Sequence, residues 1–123
     1  MEVIPEQGGE RLGRILREIP PHEVYRMLCG GSGLKPTVLD VRGAAEFSAG
    51  RIAGAVNLDC YAGGFLGRLA ALPRFKPYIV CCQDGGHSAW VLELMYYLGF
   101  REAYCISGGL ARWRKDGLPI ESG

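Results

Sequence analysis

Two adjacent cysteines, Cys81 and Cys82, precede a short polar segment, 83–88, that contains Gly85 and Gly86. A cysteine attacks only as its thiolate, and backbone N–H groups that converge on a sulfur stabilise that negative charge. The two glycines permit the positive φ angles that such a curl of backbone requires. A helix beginning near residue 88 would aim its positive N-terminal end at the same sulfur. The segment therefore predicts a reactive Cys82. A structural cysteine at the end of a strand is the alternative, which the spacing alone leaves open.

The remaining chain predicts the elements that position this segment. Short apolar runs predict strands, and glycine-bounded or periodic segments predict helices. Strands are expected at 37–41, 55–58, 78–82 and 103–106, and helices at 20–31, 43–50, 65–72, 88–99 and 109–117, with 14–19 either an edge strand or a helical turn. The helix at 88–99 is apolar nearly all round, so it is expected to be deeply buried. The alternation predicts an α/β fold of three layers, α/β/α, around a central, mainly parallel sheet.

This fold fixes the expected place of the two cysteines. Ligands of open α/β sheets bind at the carboxyl ends of the strands, and Cys82 is expected to end the strand 78–82. Cys81 must point to the opposite face, because side chains alternate along a strand, and it is expected in the core. Cys29 and Cys105 fall in helix and strand patterns and are also expected in the core.

Composition limits the classes of protein to which this chain is expected to belong. The 123 residues suit one domain, expected at 10–123 after a flexible N-terminal tail at 1–9. A net charge of +1 gives no reason to expect a nucleic-acid partner, and no apolar run is long enough to make a membrane a partner. The start lacks the pattern of a secretory signal, so a cytoplasmic protein is expected. Five cysteines without a C-x-x-C pair indicate neither a disulfide framework nor a zinc module.

Two other uses of the cysteine segment fit less well. A phosphatase or arsenate-reductase loop needs an arginine six residues after its cysteine, to bind the oxyanion through two hydrogen bonds. Counting from Cys82 reaches Ser88, and counting from Cys81 reaches His87, so that arginine is missing. A metal site formed by Cys81, Cys82 and His87 is weaker still, because adjacent strand cysteines diverge and no second ligand pair follows.

Three segments, read together, resemble the rhodanese-like sulfurtransferase family. "VLDVRGAAEFSAGRIAGAVNL" (38–58) is similar to its D-x-R…E-F…G-H-I-x-G-A-x-N segment. "VCCQDGGHSA" (80–89) is similar to its C-x-x-G-x-R-S active-site loop, and "GFREAYCISGGLARWRKDGLPI" (99–120) to its closing L-x-G-G-x-x-x-W…G-x-P segment. The resemblance runs through roughly 14–121 in the right order. It implies a single rhodanese-like domain.

The resemblance also implies an activity. Cys82 falls on the catalytic cysteine, which takes a sulfane sulfur from thiosulfate or another persulfide source and passes it to a thiol or cyanide acceptor. The anion-binding loop would be Gln83, Asp84, Gly85, Gly86, His87 and Ser88. No metal and no cofactor is implied, and a sulfur-relay protein is a further partner to consider. The alternative function is a non-catalytic sulfur carrier or regulatory interaction module with the same fold.

Other motif residues are expected to support the site. Asp40 and Arg42 match the D-x-R motif and are expected to brace the loop rather than bind an anionic donor directly, although both roles are open. Glu46 and Asn57 match scaffold positions that form hydrogen bonds. Trp113, like the two glycines of the closing segment, matches that segment's motif, and its helical spacing predicts a core residue.

Departures from the family pattern raise further hypotheses. His87 stands where the family has arginine, so a fixed charge is replaced by one that depends on pH near neutrality. Asp84 brings a carboxylate into the loop and, unless it points to solvent as we expect, would disfavour a dianionic donor such as thiosulfate. Arg51 replaces a histidine at a position expected to be exposed.

Cys60 follows the first motif, and as a second thiol near Cys82 it could resolve the persulfide into a disulfide with release of sulfide. An unremarkable loop cysteine is the simpler interpretation.

Overall fold

A computed structural model describes residues 10–11, 13–30 and 33–122. The predicted tail at 1–9 lies outside the described residues. The described elements are β1 (Glu10–Arg11), β2 (Arg14–Ile19), α1 (Pro21–Cys29), β3 (Thr37–Asp40), α2 (Ala44–Ala49), β4 (Val56–Asn57), α3 (Phe65–Ala70), β5 (Pro77–Cys81), α4 (Gly86–Leu98), β6 (Glu102–Ile106) and α5 (Gly109–Lys115). The segment 14–19 is thus a strand and not a helical turn.

In these ranges the strands form one sheet in the order β1-β2-β6-β5-β3-β4. Every neighbouring pair is parallel except the short β1–β2 pair at one edge. The predicted mainly parallel sheet is confirmed, and β2 lies inside it and not at the edge that the sequence suggested. β5 lies between β3 and β6, so the segment after β5 leaves from the middle of the sheet.

The sheet is covered on both faces, which confirms the three-layer α/β/α architecture. All five residues of β5 are buried, because neighbouring strands and helices surround it on every side. Its side chains alternate between two apolar clusters. One cluster contains Tyr78, Val80 and residues of α3 and α4, and the other contains Ile79, Cys81 and residues of α1 and α5.

Four expectations about individual elements and residues are wrong. β5 ends at Cys81, one residue before Cys82, and α4 begins at Gly86 instead of near residue 88. α4 is not buried all round: Trp90 and Tyr97 are each 47% exposed, because the helix packs on the sheet through one face only. Cys29 is exposed at the last turn of α1 and is not a core residue.

The other core expectations hold. Cys81 is fully buried, and burial, followed by the charge of Asp40, raises the pKa of its thiol well above the usual range. Cys105 is also buried, and burial raises the pKa of its thiol to about 12. Trp113 is 1% exposed, and its indole N–H donates to the carbonyl oxygen of Pro119 at 2.8 Å. Among the described residues, no helix combines the length and apolar character needed to cross a membrane.

Candidate active site

The turn between β5 and α4 wraps around the sulfur of Cys82. The backbone N–H groups of Gly85 and Ser88 donate to Sγ at 3.1 and 3.3 Å. The hydroxyl of Ser88 lies 3.4 Å from the same sulfur and donates to the carbonyl oxygen of Gly85 at 3.2 Å. Cys82 is only 1% exposed. Hydrogen-bond donors therefore meet at a recessed sulfur, an arrangement that stabilises negative charge there.

The two loop glycines have different roles. Gly85 has a φ of +98°, which L side chains rarely adopt, so its lack of a Cβ makes the turn possible. A Cβ at Gly85 would also lie 3.4 Å from the backbone nitrogen of Gly108. Gly86 is the first residue of α4 and is not among the positive-φ glycines. The prediction of a positive φ is right for Gly85 and wrong for Gly86, because the chain enters the helix after one left-handed residue.

The start of α5 holds the loop from behind. The N–H groups of Leu110 and Ala111 each donate at 2.9 Å, to the carbonyl oxygens of Cys82 and Gln83 respectively. Gly109, with φ +63°, approaches so closely that a Cβ there would lie 2.6 Å from the Cys82 carbonyl oxygen. The sequence matched the glycine pair of this segment to a motif but did not indicate this contact. These hydrogen bonds hold the backbone of Cys82 and Gln83 in place at the start of the loop. The N–H groups of Gly85 and Ser88, later in the loop, face the sulfur.

Asp40 and Arg42 form a buried ion pair at the end of β3. The Arg42 Nε lies 2.9 and 3.2 Å from the two Asp40 carboxylate oxygens, and Nη2 lies 2.7 Å from Oδ2. Nη2 also donates to the Gly50 carbonyl oxygen at 2.6 Å. The Asn57 amide donates to the carbonyl oxygens of both Asp40 and Arg42 at 3.0 Å. These contacts occupy the guanidinium and tie β3 to the end of α2 and to β4, whereas a direct brace of the loop 83–88 stays a prediction.

Burial and pairing act in opposite directions on Arg42. Burial alone would lower the pKa of its guanidinium, but hydrogen bonds to Asp40 and the Asp40 charge outweigh burial and raise that pKa. Arg42 is 5% exposed and Asp40 fully buried, so neither side chain reaches the solvent side of the loop. Glu46 accepts a hydrogen bond from the Gly43 N–H at 3.3 Å and caps α2, as a scaffold residue would.

The outer side of the loop carries the exposed residues Gln83, Asp84 and His87. One Asp84 carboxylate oxygen accepts the Gly86 N–H at 3.0 Å, so this charge caps an outer amide and is exposed to solvent, as expected. Both ring nitrogens of His87 lie 3.4 Å from the Tyr61 hydroxyl, and the two rings meet edge to face at 5.4 Å. Tyr61 was not predicted, because it lies beyond the first motif in a segment without a recognisable pattern.

The other two residues singled out from the sequence, Arg51 and Cys60, both follow α2 in the chain. Cys60 is half-buried, its N–H donates to the Val41 carbonyl oxygen at 3.1 Å, and it packs against the apolar cluster that contains Cys82. Burial and then the charge of Asp59 raise the pKa of its thiol. Arg51 is half-buried and not exposed as expected: it donates to the Phe47 carbonyl oxygen and lies 3.5 Å from the Glu121 carboxylate.

No group of three or more His, Cys, Asp or Glu residues in the described part of the chain has the arrangement of a metal site. Cys81 and Cys82 belong to clusters on opposite faces of the sheet. The arrangement therefore offers one recessed sulfur, a cradle of amides and a hydroxyl, and a buried ion pair at the end of the neighbouring strand β3.

Known proteins resemble this chain over most of its length. The family model of the rhodanese-like domain matches residues 20–116. A thiosulfate sulfurtransferase GlpE from Glaesserella parasuis is 29% identical over 106 residues, which cover 86% of this chain and 94% of the relative. Thiosulfate sulfurtransferase 16, a chloroplastic protein of Arabidopsis thaliana, is 34% identical over 95 residues, which cover 68% of this chain and 78% of that protein.

Solved structures agree with the fold. A rhodanese-related protein from Thermoplasma volcanium is 29% identical and superposes with a TM-score of 0.69, covering 85% of this chain and 97% of that one. A rhodanese-like domain protein from Staphylococcus aureus is 25% identical with a TM-score of 0.71, covering 86% and 99% of the two chains. The family match spans the loop, the brace and the glycine contact from α5, and by this evidence the chain belongs to the rhodanese-like domain family.

Proposed function

We propose that this protein is a rhodanese-type sulfurtransferase that moves sulfane sulfur through a persulfide on Cys82. The observation that carries the proposal is the convergence of the Gly85 and Ser88 N–H groups on a recessed sulfur. That cradle suits an anionic sulfur, first as a thiolate and then as a persulfide. Relatives at about this level of identity are named thiosulfate sulfurtransferases, which supports the same class of reaction.

In the first half-reaction the Cys82 thiolate attacks the sulfane sulfur of the donor. A new S–S bond forms on Sγ, and the donor's own bond to that sulfur breaks. The leaving group departs with the bonding electron pair; for thiosulfate it is sulfite. The terminal sulfur of the persulfide then carries the negative charge, and the positive end of α4 faces the loop that holds it.

In the second half-reaction a thiolate or cyanide acceptor attacks the terminal sulfur. The bond to Cys82 breaks, and Sγ recovers its electron pair as a thiolate. Neither step requires an external oxidant or reductant. The enzyme carries the transferred sulfur between the two steps, so the remainder of the donor must leave before the acceptor reacts. Ping-pong kinetics follow.

Ser88 has a distinct role in this scheme. With Cys82 protonated, the thiol donates to the Ser88 hydroxyl, which in turn donates to the Gly85 carbonyl oxygen. When the thiol loses its proton, the hydroxyl can rotate and donate to the sulfur. The loop therefore accommodates both protonation states without a change in backbone.

A sulfur carrier is the second candidate function, and the burial of Cys82 favours it. Cys82 is only 1% exposed, and His87 of the same loop pairs with the exposed ring of Tyr61. Such a sulfur would be transferred slowly to small acceptors and quickly to a partner protein that opens the loop. Such a carrier would take up sulfur on Cys82 but turn over slowly with cyanide.

Steady-state transfer of sulfur to cyanide, followed as thiocyanate, tests the enzyme proposal. We expect parallel double-reciprocal lines for wild type, and no transfer for Cys82→Ser. Cys81→Ala is the matched control: its side chain lies on the opposite face of the sheet, so it should retain transfer as long as it folds. Uptake of sulfur without turnover would favour the carrier. Transfer that survives in Cys82→Ser would contradict both candidates.

A further inference from the structure

Three exposed aromatic rings and the buried ring of Phe65 lie together beside the active-site loop. We define the aromatic rim as Tyr61, Phe65, His87 and Trp90. His87 and Trp90 are three residues apart on α4 and share one face of the helix. Tyr61 meets His87 edge to face at 5.4 Å, and Phe65 stacks on Trp90 at 6.1 Å with ring planes 21° apart. Tyr61 is 67% exposed and Trp90 47% exposed, so the rim presents apolar surface to solvent.

The aromatic rim is continuous with the sulfur cradle. His87 is adjacent in sequence to Ser88, whose N–H and hydroxyl contact the Cys82 sulfur. Tyr61 follows Cys60, which packs against the cluster that contains Cys82. The aromatic rim therefore lies on one side of the approach to Cys82.

A carboxylate lies next to the aromatic rim. Asp59 accepts the Tyr61 N–H at 2.8 Å, next to the aromatic rim. The charge of Glu46, together with that of Asp59, also acts on both Cys60 and Tyr61.

Positive charge near the loop is engaged elsewhere. The loop 83–88 contains no lysine or arginine. Arg42 is buried against Asp40. Arg112 lies over Gly108 on the α5 side, and its Nε is 3.7 Å from the Asp116 carboxylate. Asp59 therefore places a negative charge beside the aromatic rim, and the loop 83–88 supplies no lysine or arginine to offset it.

We propose that the sulfur donor of this protein is an organic sulfane-sulfur compound with an aromatic or apolar body and at most one negative charge. Its body would pack on the aromatic rim while its terminal sulfur reaches Cys82. Inorganic thiosulfate lacks such a body, and its two negative charges would meet the Asp59 carboxylate beside the aromatic rim. This inference rests on the proposed function, since it specifies the donor for the same persulfide.

Three probes separate the effect of the donor's charge from the effect of its apolar body. Thiosulfate is a dianion without a body, methanethiosulfonate is a monoanion with a methyl group, and benzenethiosulfonate is a monoanion with a phenyl ring. Each gives up its sulfane sulfur to the Cys82 thiolate, and sulfite or the matching sulfinate leaves with the electron pair. The rate of persulfide formation is measured by quenching and intact-protein mass. Dividing by the rate with a free small thiol removes differences in intrinsic reactivity.

We expect the normalised rates to rise from thiosulfate to methanethiosulfonate to benzenethiosulfonate. One aromatic contact of about 0.5–1.5 kcal/mol corresponds to a gain of roughly twofold to tenfold for the phenyl compound over the methyl compound. Trp90→Ala should remove most of that gain. Tyr97→Ala is the matched control, because Tyr97 is equally exposed on α4 but lies two turns away, and it should leave all three rates unchanged.

Asp59→Asn tests the charge contribution while keeping an oxygen that can accept the same backbone N–H. Coulomb energy scales with the charge of the donor, so the logarithm of the rate gain for thiosulfate should be twice that for the monoanions. At low salt we expect a gain of roughly twofold to fivefold for thiosulfate in this variant. Thermal unfolding of every variant verifies that it is folded.

The outcomes distinguish this inference from the proposed function. Normalised rates that are highest for thiosulfate, or a phenyl gain that survives in Trp90→Ala, would overturn the donor inference and leave sulfur transfer intact. Failure of all three probes to load folded wild type, with Cys82 still open to alkylation, would overturn the proposed function as well.

Discussion

Substitution of Gly109 by alanine tests whether α5 holds the active-site loop. The new Cβ would lie 2.6 Å from the Cys82 carbonyl oxygen and 2.7 Å from the carbonyl carbon and oxygen of Gln83. All three are backbone atoms, so no side chain can move aside to make room. The loop or the start of α5 must shift, and either shift disturbs the hydrogen bonds at 2.9 Å from Leu110 and Ala111.

The expected cost has two parts. An alanine at φ +63° costs about 1–2 kcal/mol in the left-handed region. Overpacking against backbone adds about 1–3 kcal/mol. We therefore expect the free energy of unfolding to fall by about 2–5 kcal/mol. Gly117→Ala separates the two parts: Gly117 has φ +76°, but its Cβ would meet nothing within 4 Å, so only the first cost applies.

The assay combines urea unfolding with the rate at which iodoacetamide alkylates Cys82. Gly109→Ala should lose more stability than Gly117→Ala, and only Gly109→Ala should change the alkylation rate, because only it moves the carbonyls of Cys82 and Gln83. Equal losses of stability together with an unchanged alkylation rate would refute the claim that this close approach positions the cradle.

Three further predictions follow from buried groups. Arg42→Met leaves the Asp40 carboxylate buried without its partner, so unfolding should require about 3–5 kcal/mol less, and a loss under about 1 kcal/mol by urea titration would contradict the bracing role. The Cys105 thiol has its pKa raised to about 12 by burial, whereas in the unfolded chain it titrates near about 8.5. The folded state therefore keeps a proton that the unfolded state loses, and stability should fall above about pH 8.5 by up to about 1.4 kcal/mol per pH unit. Cys105→Ala should reduce the fall of stability with pH, and an identical fall in both proteins would count against this prediction. Burial raises the pKa of Cys60, so a Cys60–Cys82 disulfide should be absent after sulfur loading at neutral pH and appear only as the pH rises; peptide mapping that finds the disulfide at pH 7 would show a resolving thiol.

Much of the fold could be predicted because its elements are short and strongly patterned. The apolar run of β5 and the glycine that ends α4, with φ +93° at Gly99, both follow from local chemistry. The exposure of Trp90 could not be predicted, since an apolar helix does not reveal which face meets the sheet. The exposure of Cys29 depends in the same way on how the last turn of α1 is oriented.

The candidate site likewise combines features that are local in the sequence with contacts between distant residues. Cys82, the loop glycine with φ +98° and the Asp40–Arg42 pair are local in sequence, so motif and spacing found them. The contact of Gly109 with the loop joins residues far apart in the chain, and no local pattern encodes it. Tyr61 was missed for the same reason, because its partner His87 lies 26 residues away.

Intact-protein mass after exposure to sulfane-sulfur donors tests the central claim most directly. Wild type and Cys82→Ser are incubated side by side with each donor, separated from it, and measured before and after cyanide is added. The account predicts that only wild type gains the mass of one sulfur atom, on the peptide containing Cys82, and that cyanide removes it. A gain that persists in Cys82→Ser, or no gain in folded wild type with any donor, would contradict it.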